Sequence, residues 1–255
     1  MTADFPSGLR IGCVPYLNAR PLVWGIEGCV QFDVPSVLSD RFSAGDLDVA
    51  LLPVFEVLRL PAALVVDGLS ISARGPVRSV MVAHRAPLGE TPEIILDPDS
   101  RSSSNLLRLL LGGYFQSPAR LVSSSTDPDC ARLMIGDPAL SFRRDAPKGW
   151  ILTDLSEAWH QWTGRPFVFA VWVIAAAVAH AAPVAEVLRR VAGRGLATRA
   201  EIAAAFPDPE SSLDYLTHAI RFDLGDAEKS AIASFRDALV SYGICPTPGM
   251  LPTYV

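Results

Sequence analysis

Two rhythms alternate along the chain. Short runs that are apolar throughout, bounded by Pro, Gly or polar clusters, are followed by longer stretches whose apolar residues return at helical spacing. The first rhythm marks buried strands and the second amphipathic helices. Strands are predicted at 9–14 (LRIGCV), 30–34, 47–53 (LDVALLP), 64–66, 77–83, 93–96, 121–122, 133–135 and 166–174. The run at 47–53 is apolar nearly throughout, as expected in a parallel sheet covered on both faces. A helix is predicted at 18–24, with Pro21 in its first turn, where a missing N–H is harmless. Ser36 is placed to cap a second helix, with Val37, Leu38 and Phe42 roughly on one face. Further helices are predicted at 102–114, with Leu106, Leu107, Leu110 and Leu111 on one face, at 154–162, and then at 183–191, 199–205, 211–220 and 226–242. Alternating strands and helices define the α/β class. The segment HRAPLGETPE reads as a crossover. A central βα block flanked by N- and C-terminal parts suggests residues 1–87 plus 176–255 as lobe 1 and 88–175 as an inserted lobe 2.

Composition narrows the class. At 255 residues, half of them hydrophobic and 19% charged, the chain can bury a sizeable core. A net charge of -5 supplies no general attraction for nucleic acid or anionic lipid. An anionic ligand must therefore be held by local donors. Four scattered cysteines (Cys13, Cys29, Cys130, Cys245) show neither disulfide nor metal-ligand spacing. The N-terminus lacks the features of a signal peptide, and the apolar run 167–179 is shorter than the roughly 20 residues of a membrane span. A soluble, cytoplasmic protein without metal or membrane is expected.

Four segments carry candidate chemistry. PYLNARP follows the first strand, where α/β proteins bind ligands; Tyr16 lies within it, and Asn18 either faces a ligand or caps the helix. In RGPVRSVM, Ser79 either reaches a cleft or occupies a solvated strand face. DPDSRSSSN feeds a Leu-rich helix, and Ser102 and Ser103 at its N-terminus suit a carboxylate, or merely a serine-rich cap. In MIGDPAL, Asp137 either caps the following helix, with Pro138 at its first position, or faces the cleft. No G-x-S-x-G elbow, Gly-rich phosphate loop or H-E-x-x-H motif is present.

RIGCVPYLNARPLVWG, GPVRSVMV, DPDSRSSSNLLRLLL, RLMIGDPAL, DLSEAWHQWTGRPFVFAVW and YLTHAIRFDLG together resemble the chorismate dehydratases of menaquinone biosynthesis by the futalosine route, over nearly the whole chain. The resemblance implies a two-lobed, type II periplasmic-binding-protein-like fold with a cleft between lobes. It implies Asn18 and Ser79 as catalytic residues, Tyr16, Ser102, Ser103 and Asp137 as substrate-binding residues, chorismate as the small-molecule partner, and no cofactor. A homodimer is compatible with it. Two positions depart from the family pattern: Ala19 stands where Thr is common, and Pro138 where a second acidic residue is common.

The implied reaction removes the C3 proton and C4 hydroxyl of chorismate, giving 3-[(1-carboxyvinyl)oxy]benzoate and water by a hydro-lyase step. Neither Asn18 nor Ser79 is a competent base near neutral pH. The expected base is the substrate's own enolpyruvyl carboxylate, with Asp137 as its competitor. Two other readings compete: a non-catalytic solute-binding or sensor protein of the same fold, and the related 1,4-dihydroxy-6-naphthoate synthase. A missing export signal and the absence of a helix-turn-helix segment weigh against the first, and the Y-L-N-x-x-P-L element against the second.

Overall fold

The computed structural model describes residues 8–62, 64–245 and 250–255. The chain begins with β1 (Ile11–Cys13), a 3₁₀ helix (Leu17–Val23), β2 (Val30–Phe32), α1 (Pro35–Ser43), β3 (Val49–Pro53), the short α2 (Val54–Val57) and β4 (Leu64–Ala73). A second series follows: β5 (Val80–His84), β6 (Glu93–Ile95), α3 (Arg101–Gly113), β7 (Arg120–Val122), β8 (Ala131–Ile135), α4 (Gly136–Asp145), β9 (Ile151–Asp154) and α5 (Leu155–Thr163). The chain closes with β10 (Phe167–Ile174), α6 (Ala181–Ala197), α7 (Arg199–Ala204), α8 (Pro209–Asp214), a wide π-type turn (Tyr215–Ala219), α9 (Asp226–Ser241) and β11 (Thr253–Tyr254).

These strands form two sheets, each the floor of one lobe. The first has the order β11-β4-β10-β3-β1-β2 and the second β7-β6-β8-β5-β9. β1 pairs in parallel with β2 and β3, and β6 in parallel with β7 and β8. One strand in each sheet opposes its neighbours: β10 runs antiparallel to β3 and β4, and β5 antiparallel to β8 and β9. These are the two strands laid down immediately after the chain crosses between sheets. The sheets therefore do not divide at residues 88 and 175. β5 belongs to the second sheet and β10 to the first, so the crossings fall at 74–79 and 164–166. Local pattern cannot reveal this, because both are short buried runs whose partners are distant in sequence.

Packing fixes the crossings. Trp159 of α5 is fully buried and meets Phe167 and Phe235 edge-on at 5.6 and 6.1 Å. Its indole N–H donates to Pro166 O at 3.0 Å. The return into β10 is thus pinned by an aromatic cluster joining α5, β10 and α9, a geometry that adds to simple area burial. The apolar run that begins at Phe167 is this buried strand. Among the described residues, no helix is long and apolar enough to cross a membrane.

Several elements differ from the sequence expectation. The helix after β1 is 3₁₀ rather than α, and carries Pro21 within it. Ser36 does not cap α1; Val34 occupies that position, Pro35 begins the helix, and the Ser36 hydroxyl donates to Asp99 instead. The helix expected at 211–220 breaks into α8 and the wide turn. β9 and β11 were not anticipated.

Candidate functional site

The carboxyl ends of β1, β3, β6 and β8 face one another across the two sheets, and the segments after them enclose a cavity. It holds about 590 Å³ of atom-free space, open in part to solvent. Its apolar wall includes Val14, Leu51, Ile71, Val80, Ile135 and Phe169, and its polar groups come from Tyr16, Asn18, Ser79, Ser100, Ser102 and Ser103. No ionisable carboxylate, imidazole, ammonium or guanidinium lines it among the described residues.

Asn18 occupies the second position of the 3₁₀ helix, two residues past the N-cap Tyr16. Its side chain instead faces the cavity, where the amide oxygen is buried without a donor. Such an oxygen is costly unless a ligand satisfies it. Tyr16 lies alongside, its ring packed so closely on Gly136 that a Cβ there would come within 3.0 Å. Burial, reinforced by Asp97, Asp99 and Asp137, pushes the Tyr16 phenol up to about 12. It stays a neutral hydrogen-bond donor.

Ser79 immediately precedes β5 and is 1% exposed, so the solvated-face alternative does not hold. Its position is set by an unusual backbone. Arg78 takes a left-handed φ of 66°, which costs energy in a non-glycine residue and persists only where neighbours enforce it. The enforcing group is Asp154, which accepts from the Val77 and Arg78 N–H groups at 3.2 and 2.6 Å while capping α5. Burial raises the Asp154 carboxyl, and these N–H bonds oppose the rise.

Ser102 and Ser103 stand in the first turn of α3, each 3% exposed. Ser100 caps this helix, accepting a long bond of 3.4 Å from Ser103 N–H. The first N–H groups of a helix lack partners within it, and its dipole is positive there. Ser102 Oγ accepts from Phe55 N–H at 2.9 Å, tying α3 of one lobe to α2 of the other. That bond leaves the Ser102 proton free to donate into the cavity.

Asp137 sits elsewhere. It does not line the cavity and does not cap its own helix, whose N-cap is Ile135. Its carboxylate accepts from Leu17 N–H at 2.9 Å. The reason is a vacancy at the 3₁₀ helix, where Tyr16 in the N-cap position offers no side-chain acceptor. Asp137 therefore caps a helix in the other lobe. Burial raises its carboxyl, opposed by the Leu17 bond and by Arg20.

Two participants were missed from sequence. Ser100 lies in the DPDSRSSSN segment, where nothing in its residue type separates it from the serines that follow. Tyr215, 2% exposed, reaches in from the wide turn, and its phenol donates to Ser79 Oγ at 2.8 Å. Burial raises this phenol, and hydrogen bonding with Ser79 and Asn18 opposes the shift.

Comparison with known proteins agrees with this architecture. A profile of the family described as "Menaquinone biosynthesis" matches residues 9–241. The chain belongs to the menaquinone-biosynthesis family. This member is 26% identical over 260 aligned residues to the chorismate dehydratase of Thermus thermophilus, covering 90% of this chain and 94% of that one. Among solved structures, it resembles a protein from Archaeoglobus fulgidus with a TM-score of 0.68 at 12% identity, covering 93% and 98% of the two chains. It also resembles the alkanesulfonate-binding protein of Xanthomonas axonopodis pv. citri, with a TM-score of 0.65 at 15% identity, covering 99% and 100%. The family member thus has the periplasmic-binding-protein fold, with its cavity between the two lobes.

Proposed function

We propose that this protein is a chorismate dehydratase, a hydro-lyase forming 3-[(1-carboxyvinyl)oxy]benzoate and water. The observation that carries the reading is the neutral lining of the cavity: amide, hydroxyl and helix N–H donors suited to a dicarboxylate, and no protein base among the described residues. The likeness to the Thermus thermophilus enzyme supports the same substrate.

In this reading, Ser102, Ser103 and the first turn of α3 hold the ring carboxylate. Loss of the C3 proton pushes charge through the diene towards that group, so these donors bind the transition state more strongly than the ground state. The substrate's enolpyruvyl carboxylate takes the proton, because an aligned internal base can reach effective molarities of about 10⁵ M or more. The Asn18 amide N–H₂ orients that carboxylate. Its donorless oxygen gains a partner only when the carboxylate becomes an acid with an O–H to offer. Ser79 binds the C4 oxygen. Re-forming an aromatic ring drives the step, so the protein need not stabilise the product.

The test is to mix purified protein with chorismate and follow loss of one water with appearance of an aromatic product. Asn18→Ala is expected to depress kcat far more than it raises KM. Tight chorismate binding without turnover would overturn the proposal in favour of a solute-binding role.

A further inference from the structure

The proposed elimination expels hydroxide from C4, and the groups so far described do not say where its proton comes from. Ser79 can donate one at the cavity wall. Its Oγ already accepts from the Tyr215 phenol, so its own O–H is free to point at a ligand oxygen. The hydroxyl of Tyr215 meets Ser79, and the residue also borders a second cavity bounded by Leu17, Arg78, Asp137, Arg143 and Ser212. Tyr215 therefore lies between a hydroxyl at the inner cavity and a separate space that is open in part to solvent. The wide π-type turn that delivers it, Tyr215–Ala219, is a distortion found often at functional sites.

We propose that Tyr215, acting through Ser79, supplies the proton that converts the departing C4 hydroxyl into water. This rests on the dehydratase reading. The enolpyruvyl carboxylate takes the C3 proton, and the electron pair left behind, spread towards the ring carboxylate, then forms the new C3–C4 π bond. The C4–O bond breaks with its pair on oxygen. That oxygen takes the Ser79 proton, Ser79 takes the Tyr215 proton, and the phenolate is reprotonated by water in the second cavity. The proton collected from C3 leaves with solvent exchange, so one water and one aromatic product form without any other reactant. Tyr215 is thus a positioning residue for proton delivery, and Ser79 is the group that touches substrate.

The experiment compares wild type, Tyr215→Phe, Ser79→Ala and the double variant on chorismate and on an analogue bearing fluoride at C4, which departs without needing a proton. On chorismate, Tyr215→Phe is expected to lower kcat by about 10²–10⁴-fold, the usual span of general-acid assistance, with KM changed by less than about threefold. The double variant should be no slower than the slower single variant, as expected for groups acting as one unit. On the fluoro analogue, Tyr215→Phe should match wild type within about threefold, a rescue that a structural role would not give. Equal losses on both substrates, or an unaffected Tyr215→Phe on chorismate, would overturn the proposal. If wild type itself fails to turn over chorismate, the dehydratase reading is what has failed.

Discussion

Ser102→Ala separates lobe closure from ligand contact. The lost Oγ accepts the Phe55 N–H at 2.9 Å, with both residues buried. A buried N–H left without an acceptor costs about 1–3 kcal/mol. With the lobes apart, water would satisfy that N–H, so the cost falls on the closed arrangement rather than on either lobe's fold. The closed state should therefore lose about 5- to 150-fold in population, and apparent affinity should fall by up to the same factor. In the dehydratase reading, the lost donor to the ring carboxylate adds about 1.5–3 kcal/mol to the binding loss. The assay pairs calorimetric titration of a non-reacting dicarboxylate with small-angle scattering of the ligand-free protein. Ser102→Ala should bind more weakly and scatter as a more extended particle, while Ser103→Ala should weaken binding without changing the scattering. Affinity within twofold of wild type and unchanged compactness for Ser102→Ala would mean that this bond does not hold the lobes together.

Asp137→Asn should keep the acceptor for Leu17 N–H and should keep turnover, since no base is removed; an abolished kcat with intact folding would make Asp137 the base. Because burial raises the Asp137 carboxyl, its favourable contribution is complete below the unfolded-state carboxyl pKa and is lost as pH rises through the higher folded-state value. Urea midpoints should accordingly favour the Asn variant over wild type above that window and converge below it. Gly136→Ala meets both a left-handed φ of 60° and the Tyr16 ring at 3.0 Å; a stability loss of about 1–2 kcal/mol with a raised KM is expected from denaturation and steady-state kinetics. Gly193 and Gly195 form a controlled pair in α6. A Cβ at Gly193 meets nothing within 4 Å, whereas one at Gly195 would fall 2.0 Å from Pro21 O. Thermal unfolding should show Gly193→Ala stabilised by about 0.5–1 kcal/mol and Gly195→Ala destabilised by about 1–3 kcal/mol, the latter with disturbed turnover because Pro21 shares the Asn18 helix.

What could be read from sequence was whatever local pattern determines. β3 is buried at every position, as its apolar run implies, and α3 presents Leu106, Leu107, Leu110 and Leu111 to the core. Tyr16, Asn18, Ser79, Ser102 and Ser103, which the family resemblance rather than local pattern singled out, do line one cavity. Two of the failures share a cause: they depend on partners remote in sequence. Asp137 has capping chemistry, as its residue type suggests, but the helix it caps begins 120 residues away. β5 and β10 look like any buried strand, and only their pairing reveals which sheet they join. Tyr215 was hidden because a wide turn within 211–220 preserves helical spacing in the sequence. β9 is largely exposed at its start, and β11 is two residues long, so neither leaves a pattern to detect.

In the dehydratase reading, the substrate brings its own base into a neutral cavity. The most direct test of that reading uses a chorismate analogue whose enolpyruvyl carboxylate is replaced by the neutral amide, with dehydration followed under conditions of confirmed binding. An occupied cavity and no aromatic product are expected. Dehydration of the amide at a rate comparable to chorismate would mean that the protein supplies the base, and would contradict that reading.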